Sequence, residues 1–291
     1  MATPERDEIT GVSTTGHEWD GIRELNTPLP RWWLWSLYAT IIWGVGYVIA
    51  YPAWPLITGA TKGFLGYSSR AEVAGDLARA RSAQDQWLSK IKSASLVEIV
   101  QDPELLEFAR AGGAAAFKVN CIQCHGSGAA GAKGYPNLND DDWLWGGSLD
   151  QIHTTLVSGA RDTVNADTRT SLMPSFTGVI EAEKISTVAE HVLSLSGGVH
   201  DAAAAAEGAA VFVENCAVCH GEKGEGNRDL GAPRLNDAVW LYGSDKPAIM
   251  AQIKGPRHGV MPAWGKRLDA TTIKQLAVFV HSLGGGEQPQ P

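Results

Sequence analysis

The sequence predicts a mostly α protein: one N-terminal transmembrane helix, then two copies in tandem of a small helical module. Three observations predict it. A charge-free apolar run lies near the N-terminus, the last two thirds of the chain repeat internally, and each repeat carries the five-residue pattern Cys-x-x-Cys-His. The length of 291 residues suits about two domains, and the net charge of −8 argues against a nucleic-acid surface.

Residues 1–30 form a polar N-terminal segment. From Trp32 to Ile57 no residue is charged, and as a helix this run would be roughly 39 Å long, more than the ~30 Å hydrocarbon core of a bilayer. Trp32, Trp33 and Trp35 stand at one end, and Tyr47, Tyr51 and Trp54 toward the other, as in an interfacial aromatic belt. The span is set at 31–57, with Pro52 and Pro55 ending or kinking it at the far side. A cleaved signal peptide would need a shorter apolar stretch and a short basic start. Here some thirty residues precede the run and include Glu5, Asp7, Glu8, Glu18, Asp20 and Glu24, so an uncleaved anchor is expected.

Residues 58–107 read as a solvated helical linker. Charges at Glu72, Asp76, Arg79 and Arg81 precede Trp87, Leu88 and Ile91, and Asp102-Pro103-Glu104 has the form of a helix N-cap with proline at the first helical position.

The repeats occupy 108–197 and 208–285, joined by a short linker at 198–207 and followed by a tail at 286–291. Gly113-Ala-Ala-Ala-Phe117 matches Gly208-Ala-Ala-Val-Phe212, and Asn120 and Asn215 each precede a cysteine. Pro136, Leu138, Asp140 and Trp143 match Pro233, Leu235, Asp237 and Trp240; Met173-Pro174-Ser-Phe176 matches Met261-Pro262-Ala-Trp264. Each copy ends in an apolar set at helical spacing: Ile185, Val188, Ala189 and Val192 before Gly197, then Ile273, Leu276, Ala277 and Val280 before Gly284.

Cys121-Ile-Gln-Cys124-His125 and Cys216-Ala-Val-Cys219-His220 contain all four cysteines of the chain. The pattern is the attachment site of c-type haem: two thiols add to the haem vinyl groups, and the adjacent histidine is held against one face of the iron. Zinc and thiol redox centres also use Cys-x-x-Cys. A zinc ribbon, however, wants its pairs about 15–20 residues apart, and these pairs lie far beyond that. Two covalent haem c groups are expected, with His125 and His220 as axial ligands.

A sixth ligand for each iron is sought among four methionines. Met173 and Met261 occupy equivalent places, each followed by proline, and a thioether stabilises the reduced iron. Both are assigned as axial ligands, without a choice between the haem of the same repeat and that of its neighbour. Met250 reads as a core residue. His153 and His258 are weighed as rival ligands and set aside, and Arg161, Arg234 and Arg257 are weighed as partners of the haem propionates and read instead as surface residues. Iron capped on both faces leaves no place for a substrate, so electron transfer is favoured over catalysis or gas sensing.

The two modules resemble class I cytochromes c over about 108–197 and 203–285. The string Asp20-Gly-Ile-Arg-Glu-Leu-Asn26-Thr-Pro28-Leu-Pro30-Arg-Trp32-Trp33, followed by the span and Tyr51-Pro52-Ala-Trp54-Pro55, is similar to subunit III of cbb3-type cytochrome c oxidase. The resemblance implies a diheme electron-transfer subunit with no catalytic centre of its own. It would take electrons from a donor cytochrome c and pass them to a mono-haem cytochrome c subunit, then to a haem–copper subunit that reduces oxygen and pumps protons. A free diheme carrier and the cytochrome subunit of a membrane-bound dehydrogenase are the alternatives. Arg23 and Arg31 before the span balance Lys62 and Arg70 after it, so charge leaves its orientation open. Covalent haem is attached outside the bacterial inner membrane. That places the modules in the periplasm and residues 1–30 in the cytoplasm.

Overall fold

A computed structural model describes residues 5–288. The chain forms two compact units, the first running through Ser82 and the second beginning at Ala83.

The first unit opens with a hairpin, β1 (Thr14–Trp19) and β2 (Ile22–Leu25), paired antiparallel with Trp19 opposite Ile22. Asp20 and Gly21 both take positive φ, +50° and +83°, the geometry of a tight primed turn. The Asp-Gly pair is therefore the local signal for structure inside the N-terminal segment 1–30. Helix α1 (Arg31–Ala50) follows, with no buried residue and an apolar surface all round. Its 20 residues span roughly 30 Å, the thickness of a bilayer core.

The helix stops seven residues short of the expected Ile57. Pro52 forces Tyr51 out of the helical region, to φ −109° and ψ 162°. The carbonyls of Ile49 and Ala50 are then capped by the amides of Phe64 and Leu65, at 3.2 and 3.1 Å. The rest of the expected span holds β3 (Pro55–Leu56), which pairs in a two-residue ladder with β4 (Gly59–Ala60) just beyond it.

Helix α2 (Ser69–Ser93) contains the boundary between the units; α3 (Leu96–Gln101) and α4 (Pro103–Asn120) follow. Ser95 and Glu98 form a reciprocal capping box at the start of α3. The Asp102 carboxylate accepts from the amides of Glu104 and Leu105, at 3.0 and 3.2 Å, as the Asp-Pro signal predicts. The segment expected to be a solvated linker is only partly so. Ile91, near the end of α2, and Leu96 and Ile99, three apart on one face of α3, are buried in the first hydrophobic core.

The remaining helices are α5 (Ile122–His125), α6 (Leu149–Ser158), α7 (Ala182–Leu195), α8 (Ala202–Asn215), α9 (Ala217–His220), α10 (Lys246–Lys254) and α11 (Ala270–His281). The expected linker 198–207 is shorter than its alanine run suggested. Asp201 caps the amides of Ala203 and Ala204, and the alanines, the best helix formers, become the first turns of α8. The tail expected at 286–291 begins tied down. The Glu287 carboxylate accepts from the Gly147 amide at 2.9 Å and pairs with Arg228; residues 289–291 lie outside the described residues.

The repeats run in tandem along the chain, but the two cores do not follow them. One core combines α3, α4 and α6 of the first repeat region with α11, the last helix of the second. The other combines α8 and α10 of the second repeat with α7, the last helix of the first. After α6 the chain crosses to finish the second core, and after α10 it crosses back to finish the first. The crossings are related by the repeat. The amide of Trp264 bonds the Leu156 carbonyl at 2.9 Å, and that of its counterpart Phe176 bonds the Ile253 carbonyl at 3.1 Å. Ala160 and Met261 exchange two backbone bonds, at 3.0 and 2.9 Å, where the strands pass.

Glycine makes both helix crossings close. A Cβ on Gly113 of α4 would sit 2.2 Å from the Gln275 carbonyl oxygen of α11, and one on Gly208 of α8 would sit 2.1 Å from that of Thr187 in α7. Alanine is the better helix former by about 1 kcal/mol. Even so, Gly208→Ala is expected to destabilise the protein by about 1–3 kcal/mol, because backbone must move to admit the methyl group. Thermal unfolding of the two proteins measures the sign.

Candidate functional site

Each Cys-x-x-Cys-His sits on a single helical turn that directly continues the repeat's first helix. The amides of Cys121 and Cys216 bond the carbonyls of Phe117 and Phe212, each at 2.8 Å. The turn then brings the His125 and His220 amides back onto the carbonyls of Cys121 and Cys216, at 3.0 and 2.9 Å. Cys121 and Cys216 are buried at the core edge, Cys124 is exposed and Cys219 is half-buried, and none of the four is in a disulfide. Two thiols of one turn therefore present at different depths to whatever lies against it.

The imidazoles are oriented identically. His125 Nδ1 lies 3.0 Å from the Pro136 carbonyl oxygen and His220 Nδ1 lies 2.9 Å from that of Pro233. A carbonyl only accepts, so Nδ1 carries the proton and donates, which leaves the Nε2 lone pair free for a metal. Burial holds both rings below the ordinary histidine range, against the opposing pull of that carbonyl, and keeps them neutral at pH 7. Burial, and then the neighbouring thiol of the pair, push Cys121 and Cys216 up to about 11. A thiol redox centre needs the opposite shift. Zinc is no better served: among the described residues no three His, Cys, Asp or Glu side chains gather as a metal-binding group.

Around the second motif lies a cavity of about 730 Å³, walled largely by apolar residues. Cys216, Cys219 and His220 line it, with Val188, Val192, Ile249 and Ile253 among the walls. Met173 and Phe176 also line it, and they come from the first repeat. Met261 packs against the other core, with Cys121, Phe117, Leu156 and Trp264. Met261 is thus brought to the core that contains Cys121, and Met173 to the cavity that contains Cys216, Cys219 and His220. The crossing strands cause this: both pass from one core to the other just before the Met-Pro.

A volume in the range of cofactor pockets, a thiol pair, a free imidazole nitrogen and a facing thioether fit a covalently tethered porphyrin. Among the other residues weighed from the sequence, His258 is half-buried on the wall of the cavity and His153 is half-buried on α6. Met250 packs against the second core, as expected. Arg234 and Arg257 are exposed, but Arg161 is half-buried on the cavity wall and is not the surface residue expected. Its burial follows from the crossing, which its position in sequence does not announce.

A family model described as the N-terminal domain of cytochrome oxidase-cbb3, FixP, matches residues 11–58. One described as cytochrome c oxidase, cbb3-type, subunit III, matches residues 109–192 and 203–280. A cbb3-type cytochrome c oxidase subunit FixP from Rhizobium meliloti strain 1021 is 57% identical over 281 residues, 97% of each chain. The subunit CcoP of Cereibacter sphaeroides is 53% identical over 286 residues, covering 98% of this chain and 99% of its own. FixP of Bradyrhizobium diazoefficiens is 54% identical over 286 residues, covering 97% and 98%.

Proposed function

The chain belongs to the subunit III family of cbb3-type cytochrome c oxidase, and from that membership we propose a membrane-anchored diheme relay. The subunit accepts electrons from a donor cytochrome c. It passes them to the mono-haem cytochrome c subunit and so to the haem–copper subunit, where oxygen is reduced and protons are pumped. It has no catalytic centre of its own. Cys121 and Cys124 tether one haem c and Cys216 and Cys219 the second. His125 and Met261 would ligate the iron of the first haem, and His220 and Met173 that of the second.

The observation that carries this reading is the convergence of Met173 with Cys216, Cys219 and His220 on one cavity. When bound, each haem supplies a one-electron iron couple. The histidines, fixed by Pro136 and Pro233, hold Nε2 toward the metal with the ring orientation already set. The thioethers of Met173 and Met261 would supply the second donor to each iron and would favour the reduced state. Phe176, Val188, Val192 and Ile253 keep water from the second site, and Phe117, Leu156 and Trp264 do so at the first. These residues would leave little to rearrange around the iron on a change of charge, which suits a relay.

The single helix α1 anchors the subunit. The cysteine modules lie on the periplasmic side of the inner membrane and the N-terminal hairpin on the cytoplasmic side, as covalent haem attachment requires. Purification of the intact subunit in mild detergent tests the assignment. Copper and b-type haem are expected to co-elute with it in fixed ratio. Co-elution with a flavoprotein or quinone-reactive dehydrogenase, and no copper, would overturn it.

A further inference from the structure

Arg161 is an arginine of the crossing strand that the relay does not yet use. It holds a positive φ of +57°, a left-handed conformation that disfavours a non-glycine residue. The surroundings enforce it. Its amide bonds the Arg169 carbonyl at 2.8 Å, and its Nε donates to the Gly259 carbonyl at 2.6 Å, so both crossing strands grip it. The guanidinium is half-buried on the wall of the cavity that holds Cys216 and His220. Burial holds it below its ordinary range, and the Tyr242 side chain stands close enough to act on it. Among the described residues no carboxylate lies within 4.0 Å of it, although Asp140 and Asp142 line the same cavity.

Two further groups face the same space. Arg257 lines the cavity with its guanidinium 4.5 Å from the centre of the Tyr242 ring, and it too has no carboxylate partner. The Tyr242 hydroxyl, likewise on the cavity, has no hydrogen-bond partner among the described residues. Arg161, Arg257 and the Tyr242 hydroxyl therefore face one cavity, which Lys133, Arg234, Asp140 and Asp142 also line, and neither Arg161 nor Arg257 is paired with a carboxylate among the described residues. A half-buried cation without a partner is costly, and a bidentate fork matches a carboxylate.

We infer that Arg161, together with Arg257 and Tyr242, binds the propionate carboxylates of the haem tethered at Cys216 and Cys219, so that the first repeat supplies that haem with both its methionine and its principal cation. The inference rests on the haem assignment above. Arg161 is a positioning residue: it neutralises the propionate beside the iron, and a positive charge there favours the reduced state.

The test uses the full-length subunit in detergent, with Arg161→Gln, Arg161→Lys and Tyr242→Phe. Covalent haem is counted and both midpoint potentials are read by spectroelectrochemical titration. Cys124→Ala marks the first haem, because loss of one thioether displaces its absorption band. Arg161→Gln is expected to lower the reduction equilibrium of the second haem about tenfold, which is ~59 mV for a one-electron couple, with the first haem unmoved. Arg161→Lys should restore more than half of the loss. Tyr242→Phe, which keeps the ring under Arg257, should lower the same haem two- to threefold.

Unchanged potentials, an equal shift in both haems, or a lysine variant as low as glutamine would overturn the inference. If Arg161→Gln does not fold, unchanged potentials in Tyr242→Phe overturn it alone. A wild-type protein with fewer than two haems would instead refute the assignment on which it rests.

Discussion

Met261→Ala lowers the midpoint potential of the haem tethered at Cys121 and Cys124, and Met173→Ala lowers that of the haem tethered at Cys216 and Cys219. The crosswise pattern is the expected result, because Met261 packs against the core that includes Cys121 and Met173 lines the cavity of Cys216 and His220. Loss of the thioether leaves water or a weaker donor on that face and removes its preference for the reduced iron. The fall should be on the order of 0.1 V, a modest part of the ~0.8 V that axial ligation spans. Both variants should keep two covalent haems, since the tethers are untouched, and both should slow oxygen consumption by the assembled oxidase. Redox titration with the first haem marked by Cys124→Ala distinguishes the outcomes. A fall in the haem of the same repeat would show that the strands do not cross as described.

Neither repeat should fold when expressed without the other. A fragment ending after α7 keeps α4 and α6 but lacks α11, which contributes Ile273, Leu276, Val278 and Val280 to the first core, all buried. At about 1.5–3 kcal/mol for each such side chain, the loss is comparable to the whole stability of a typical domain, about 5–15 kcal/mol. The orphaned α7 would meanwhile expose Ile185, Val188, Val192 and Leu193, which pack beside Phe212 of α8 in the intact chain. Residues 83–197 and 198–288 made separately should therefore lack cooperative unfolding by circular dichroism, and mixing or co-expression should restore it. Cooperative unfolding of either fragment alone would mean that each repeat closes its own core.

The elements of this fold are legible in the sequence because they rest on local chemistry. The charge-free run, the Asp-Pro cap at Asp102, the apolar spacing through Ile185 and Ile273 and the paired Cys-x-x-Cys-His motifs all act within a few turns of chain. What the sequence leaves open is which partner each element meets. Ile273 and Ile185 have the same spacing and would suit either core. Met173 and Met261 are interchangeable by pattern. The exchange depends on the strands around Ala160 and Met261, whose pairing is a contact between residues about a hundred apart. The burial of Arg161 is hidden for the same reason: nothing near it in sequence says that Gly259 will lie across it. The end of α1 was misjudged more simply. Hydropathy carries on to Ile57, whereas backbone sterics at Pro52 decide where the helix stops.

Every step of the relay requires two porphyrins bound through thioethers to one polypeptide. The purified chain, denatured and extracted with acidified acetone, then assayed as its pyridine haemochrome against protein mass, measures this directly. Two equivalents of haem c per chain, retained after extraction, is the predicted result. One equivalent, or colour that leaves with the solvent, would contradict the account.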